Sequence, residues 1–420
     1  MLRDRAVNLW AGSAGLALWV PAFALPGLPI PLQPLDCLVI LGWPLILLHF
    51  RQIPVASGFV ILSLVTSLAL SFTMAKGDGL VFGHGVILAG GFVLLVALAA
   101  GSPTAQHKFL RWFLLGASGS AILFLLQLGF GAQMFDFRTN EAFSLPKQYG
   151  RGFALFPEVS TFATHAGMAF AVVAGLLATQ QVGPFSRRGL WALSILLLIS
   201  LMFSRSTSFL VVTPFLCVFA IIQNRQVDAA GLLRLVTVAI VAGLVLYAFF
   251  NLLYVDRLET ASATRSFSMR LASILGGLSP LWEGDIFGVG LGQNHEIQRR
   301  AYDMGRALDL SFGQLPQGVN SQIVSRIFEE GWPALINFAI GVAVLVRSIG
   351  KRQKSSVEAA LVTLTVGSFL TALMITGYRG IYSNWLWLAL PAGLGAVMRG
   401  TYSRTKSPSA EAAHQLSATG

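Results

Sequence analysis

Of 420 residues only 11% are charged and 55% are hydrophobic, and the mean hydropathy is +0.70. A soluble domain carries about 25% charged residues, which excludes that class, and a transmembrane barrel would show alternating segments of about ten residues instead. The net charge of +11 comes with no lysine-rich tract, zinc pattern or RNA-binding signature, so it fits helix ends that meet anionic lipid and excludes nucleic acid as a partner. The class read from composition is an all-α, polytopic membrane protein.

Apolar runs of roughly 20 residues, the length that crosses a hydrocarbon core, recur along the chain. They predict twelve membrane helices at about 7–25, 35–50, 55–75, 80–100, 109–130, 153–178, 190–203, 207–223, 230–253, 330–347, 357–377 and 383–399. Arg3 and Arg5 precede the first run, and Ala22-Phe23-Ala24 resembles a signal-peptide cleavage site. Pro26 and further apolar spans follow at once, so the first run reads as an uncleaved membrane helix. Cys37 and Cys217 both fall inside apolar runs, with no CxxC spacing, and read as packing residues. Spans seven and eight are short and separated only by SRST, which predicts a tight hairpin.

Short loops on one side carry Arg51, Lys108, Arg111, Arg187, Arg188, Arg225, Arg234, Arg347 and Lys351 with few acids. Basic residues in short loops mark the cytoplasmic side, so both termini are expected inside. Residues 1–400 form a single integral membrane domain, and 401–420 read as a disordered cytoplasmic tail. Two loops then face outward. The first, about 131–152, holds Arg138, Lys147 and Arg151. The second, 254–329, is expected to carry short amphipathic helices and contains Arg257, Arg265, Arg270, Arg299, Arg300, Arg306 and Arg326. A long loop in an otherwise lean membrane protein is usually functional.

Within that loop, RSFSMRLASILGGLSPLWEGDIFGVGLG predicts a helix over about 266–279. Met269, Leu271, Ile274, Leu275 and Leu278 supply an apolar face, and Arg270, Ser273 and Gly277 a more polar stripe. Gly288, Gly290 and Gly292 then permit sharp turns and close backbone approach. Taken alone, the segment reads equally as an interfacial helix followed by a flexible turn. Arg205 sits between spans seven and eight, and Glu158 opens span six with His165 on the same helical face. Ionisable residues near the membrane interior are costly and usually have a purpose. Singly, each also reads as a structural ion pair or a snorkelling side chain. Asn320 and Ser321 form an N-cap, and Glu329-Glu330-Gly331 break the chain before span ten. Arginine's planar fork suits phosphate and pyrophosphate oxygens, and here arginines gather from several outer elements.

Four segments in order carry a family resemblance: GRGFALFPEVSTFA, LLLISLMFSRSTSFLVV, SMRLASILGGLSPLWEGDIFGVGLG and GVNSQIVSRIFEEGW. Together they resemble the O-antigen polymerase/ligase-like family of membrane glycosyltransferases. The shared pattern is an acid after a Gly-Phe pair, a Ser-Arg between two helices, a Ser-x-Arg helix leading to Gly-x-Gly, and a small polar pair before Glu-x-Gly. Arg151 and Gly167 also fit a spacing described for some polymerases.

The resemblance implies a bacterial inner-membrane enzyme whose active site faces the periplasm. It would join undecaprenyl-pyrophosphate-linked oligosaccharide repeats of O-antigen or exopolysaccharide without metal, nucleotide sugar or other cofactor. A chain-length regulator and a flippase of the same pathway are the implied partners, besides the lipid bilayer. Glu158, Arg205 and Arg270 become the expected catalytic residues. Arg138, Arg151, Arg265, His165, Asn320 and Glu329 become the expected substrate contacts. Glu158, Glu283, Asp285, Glu329 and Glu330 could each take the acceptor hydroxyl's proton. Ligases that attach glycan to a lipid core carry a histidine where this chain has Asn320, which favours polymerase over ligase. A transporter of lipid-linked sugar is the remaining alternative; the absence of an internal repeat and of midplane charge weighs against it.

Overall fold

The computed structural model describes residues 2–23, 32–75, 77–137, 152–178, 185–204, 206, 208–223, 261–293, 296–310, 321–350, 355–374 and 382–394. Every regular element among them is helical. The helices are α1 (Leu2–Ala17), α2 (Pro34–Leu48), α3 (Val55–Met74), α4 (Gly79–Ala100), α5 (Pro103–Phe130), α6 (Val159–Ala178), α7 (Arg187–Phe203) and α8 (Ser208–Gln223). They continue with α9 (Ala261–Leu278), α10 (Glu296–Ala307), α11 (Gln322–Glu330), α12 (Trp332–Ile349), α13 (Ser356–Met374) and α14 (386–394).

Among the described residues, six helices, α3 to α6, α12 and α13, are long and apolar enough to cross a membrane. The expected count was twelve. Helices α2 and α8 are apolar but shorter, and α1 and α7 stop at 16 and 17 residues. The span expected at 230–253 lies outside the described residues, as does the tail 401–420. Caps fix several starts. Ser102 and Ser186 accept from Ala105 N and Gly189 N, and Asp78 accepts from Leu80 N at 2.7 Å.

Helix α6 is the centre of the bundle, with 83% of its membrane window buried, and α7, α8 and α13 pack on it. Helices α7 and α8 each lean on α6; Arg205 and Thr207 of the SRST link, where a tight hairpin is expected, lie outside the described residues. Small residues let backbones approach, as is usual where lipid replaces water. Helix α1 crosses α5 where a Cβ on Gly15 would overlap the Phe109 carbonyl oxygen. Gly167, the spacing residue noted above, instead makes room for a side chain, the Thr213 hydroxyl of α8. Helices α3 and α12 keep much of their surface outward, with Phe59, Leu62, Ile336 and Val346 exposed. An apolar outer face suits contact with lipid.

One irregularity lies inside α4. Residues Gly85–Gly90 form a π-helical stretch. The wider winding displaces backbone carbonyls from their regular partners, and the Trp43 indole Nε1 of α2 donates to the Ile87 carbonyl at 3.2 Å.

Candidate active site

Helix α9 begins at Ala261 rather than near 266. It packs on α10 through small residues: a Cβ on Gly276 would lie 2.7 Å from the Ala301 nitrogen. Ala272, Ser273 and Gly276 are buried, whereas Leu271, Ile274 and Leu275 are half-buried. The expected apolar stripe is therefore not the deepest face. Close approach to α10 selects the small side chains instead, while Ile274 and Leu278 reach a satellite core of Ile297, Val324 and Phe328. Arg270 points outward, exposed, and has no ion-pair partner among the described residues.

The glycine turn that follows is rigid. Val289 N donates to the Phe328 carbonyl at 3.0 Å and Gly290 N to that of Glu329 at 3.2 Å. Trp332 N donates to the Ile286 carbonyl at 2.9 Å, and Asp78 N to that of Leu291 at 2.9 Å. The turn is thus stitched to the end of α11 on one side and to the α3–α4 link on the other. Gly288 has φ +76 and Gly331 φ +66, conformations that L side chains rarely adopt. A Cβ at either would overlap backbone of the opposite strand of the stitch.

Beneath the turn lies a buried polar network. The Arg326 Nε donates to Glu330 Oε1 at 2.9 Å and its Nη2 to Oε2 at 2.8 Å. Nη1 donates to Asn337 Oδ1 at 2.7 Å, and Asn337 Nδ2 donates to Ser63 Oγ at 2.6 Å. Ser67 Oγ donates to Glu330 Oε2 at 2.6 Å, and Ser71 Oγ to the Glu329 carbonyl at 2.6 Å. The guanidinium also lies 5.5 Å from the Trp385 ring centroid. Buried charges survive in an apolar interior only when paired and hydrogen-bonded in this way. Glu330 is consequently a structural partner, not an available base.

Three more of the candidate carboxylates are also engaged. Glu329 is buried and its Oε2 accepts from Gly292 N at 3.1 Å, which places the side chain under the turn. Glu283 and Asp285 both hold Arg300, at 2.6 Å each, and Ser279 Oγ accepts from the same guanidinium at 2.9 Å. Sequence reading treated Arg300 as one loop cation among several. The two acids two residues apart, with no other basic neighbour in the turn, were the signal that one arginine would be clamped between them.

Glu158 stands just ahead of α6, half-buried; its carbonyl accepts from Phe162 N at 3.1 Å and its carboxylate from Ser160 Oγ at 3.0 Å. His165 is fully buried in α6, with Nδ1 2.8 Å from the Thr161 carbonyl and its ring 4.7 Å from that of Phe156. That packing puts the imidazole inside the bundle rather than at the helix mouth. Ser321 caps α11, accepting from Val324 N at 3.3 Å, as the sequence predicts. Arg138, Arg151, Arg205 and Asn320 lie outside the described residues, as does the side chain of Arg265. No protein-family model and no curated protein matches the chain.

Proposed function

We propose that the chain is a polysaccharide polymerase of the bacterial inner membrane, with twelve spans and residues 254–329 on the periplasmic side. It joins undecaprenyl-pyrophosphate-linked repeat units of O-antigen or exopolysaccharide. The observation that carries this reading is Arg270. In the described part of the loop, Arg300 and Arg326 are held by carboxylates and Arg299 by Glu296, whereas Arg270 and Arg306 are exposed with no ion-pair partner among the described residues. Of these two, Arg270 lies in the Ser-x-Arg segment of the resemblance, exposed on a helix that packs on α10 and α11. An exposed guanidinium with no ion-pair partner among the described residues suits a ligand pyrophosphate.

In this reaction an acceptor sugar hydroxyl attacks the anomeric carbon of the donor chain. The bond from that carbon to the pyrophosphate oxygen breaks, and undecaprenyl pyrophosphate leaves with the electron pair. The hydroxyl proton passes to a carboxylate. Glu158 is the choice here, because it is half-buried at a helix mouth while Glu329 and Glu330 are enclosed. Arg270, with Arg151 and Arg205, stabilises the charge that develops on the leaving group; Arg138, Arg265 and Asn320 make secondary contacts.

The test is glycan length in a deletion strain complemented with wild type or with Arg270→Ala. A polymerase gives loss of long chains, single repeats at most, and no rescue by the variant. Long chains stranded on carrier lipid would instead identify a ligase, and unchanged chains would end the proposal.

A further inference from the structure

Beside the glycine turn lies an open groove of about 650 Å³, between the end of α3, the 284–289 segment and the first turns of α10. Its size is that of a small-ligand site. Its chemistry differs from that of Arg270. Its cations face acids: Arg300 is shared by Glu283 and Asp285, and the largely exposed Arg299 lies 3.2 Å from Glu296. A guanidinium held by two carboxylates has little charge left for a phosphate. What the groove offers instead is a set of planar donors and acceptors, Asp285, Gln293, Glu296 and Arg299, facing Met74 and Ile286. Both apolar residues are more than half exposed. Planar polar groups match pairs of vicinal hydroxyls, and apolar side chains match the C–H face of a sugar ring.

We infer that this groove binds uncharged sugar rings of the acceptor glycan, separately from the pyrophosphate contact at Arg270. The inference rests on the proposed polymerase reading for the glycan's role. The groove's floor is backbone hydrogen-bonded to the end of α11, the first residue of α12 and the α3–α4 link, so the site is held ready before the ligand arrives, which limits the ordering cost of binding.

The test uses the full chain in lipid nanodiscs and, as probe, end-labelled oligosaccharides of one and two repeats. These are released by partial hydrolysis from the polysaccharide that the wild-type strain makes. Saturable binding is expected. Met74→Trp, which narrows the groove from an exposed position, and Glu296→Gln should each weaken it about ten-fold. Inorganic pyrophosphate should not displace the sugar. Absence of saturable binding, wild-type affinity in both variants, or displacement by pyrophosphate would overturn the inference. The deletion strain judges the other reading independently: if its long chains persist, the polymerase assignment fails whatever the groove binds.

Discussion

Arg326 and Glu330 face each other one turn apart on α11 as a two-pronged ion pair, with side chains 8% and 0% exposed. Removing one partner leaves the other charge buried, at a cost of about 3–5 kcal/mol. Arg326→Met and Glu330→Leu alone should therefore sharply lower the thermal midpoint in detergent, and the double variant should recover much of the loss. A double-mutant cycle checks this; additive losses would mean that the pair is not coupled.

Gly288→Ala and Gly331→Ala should each abolish the stitched turn, because strain at positive φ adds to a direct backbone overlap. Gly284→Ala is the control. Its φ is +92, yet nothing lies within 4 Å of the added methyl, so only about 1–3 kcal/mol of strain is expected. Comparing folded yield and thermal midpoint across the three variants separates strain from collision.

Arg270→Ala should leave stability within about 0.5 kcal/mol of wild type, as for other exposed sites, while removing long-chain product. Arg270→Lys keeps the charge but not the fork, so partial recovery is expected. Glycan length and thermal midpoint, measured on the same three proteins, check both halves of the statement.

Trp43→Phe keeps most of the ring but deletes the donor to the Ile87 carbonyl. The cost should be about 1 kcal/mol, read as a small fall in thermal midpoint. No change would mean that the π-helical stretch satisfies this carbonyl by other means.

The class, the helix carrying Arg270, the Ser321 cap and the break at Gly331 were all legible in the sequence, because each depends on local pattern. The number of spans was less so. Helix α1 reads as a full span over 7–25 by hydropathy but ends at Ala17, whereas α7, expected to be short at 190–203, starts earlier, at Arg187. The site's internal wiring was the least legible. Arg326 and Glu330 stand at i and i+4, a spacing that signals pairing on any helix, yet one had been read as a loop cation and the other as a candidate base. What made the pair buried was α3, and no local pattern connects Ser67 to a residue 263 positions away. The same holds for the face of α9, where close packing on α10 overrode the hydrophobic stripe.

The stripe Ser63, Ser67 and Ser71 on α3 also sets an order of assembly. Two of these hydroxyls find their partners 263 and 258 residues further along the chain. At roughly 5–20 residues per second, the ribosome reaches those partners some tens of seconds after α3 emerges. In that interval the hydroxyls fall back on their own helix, as Ser63 still does with the Val60 carbonyl at 3.0 Å. Arrival of α11 therefore exchanges local hydrogen bonds for long-range ones and closes a buried seam between α3 and α11 while α12 to α14 are still to be made.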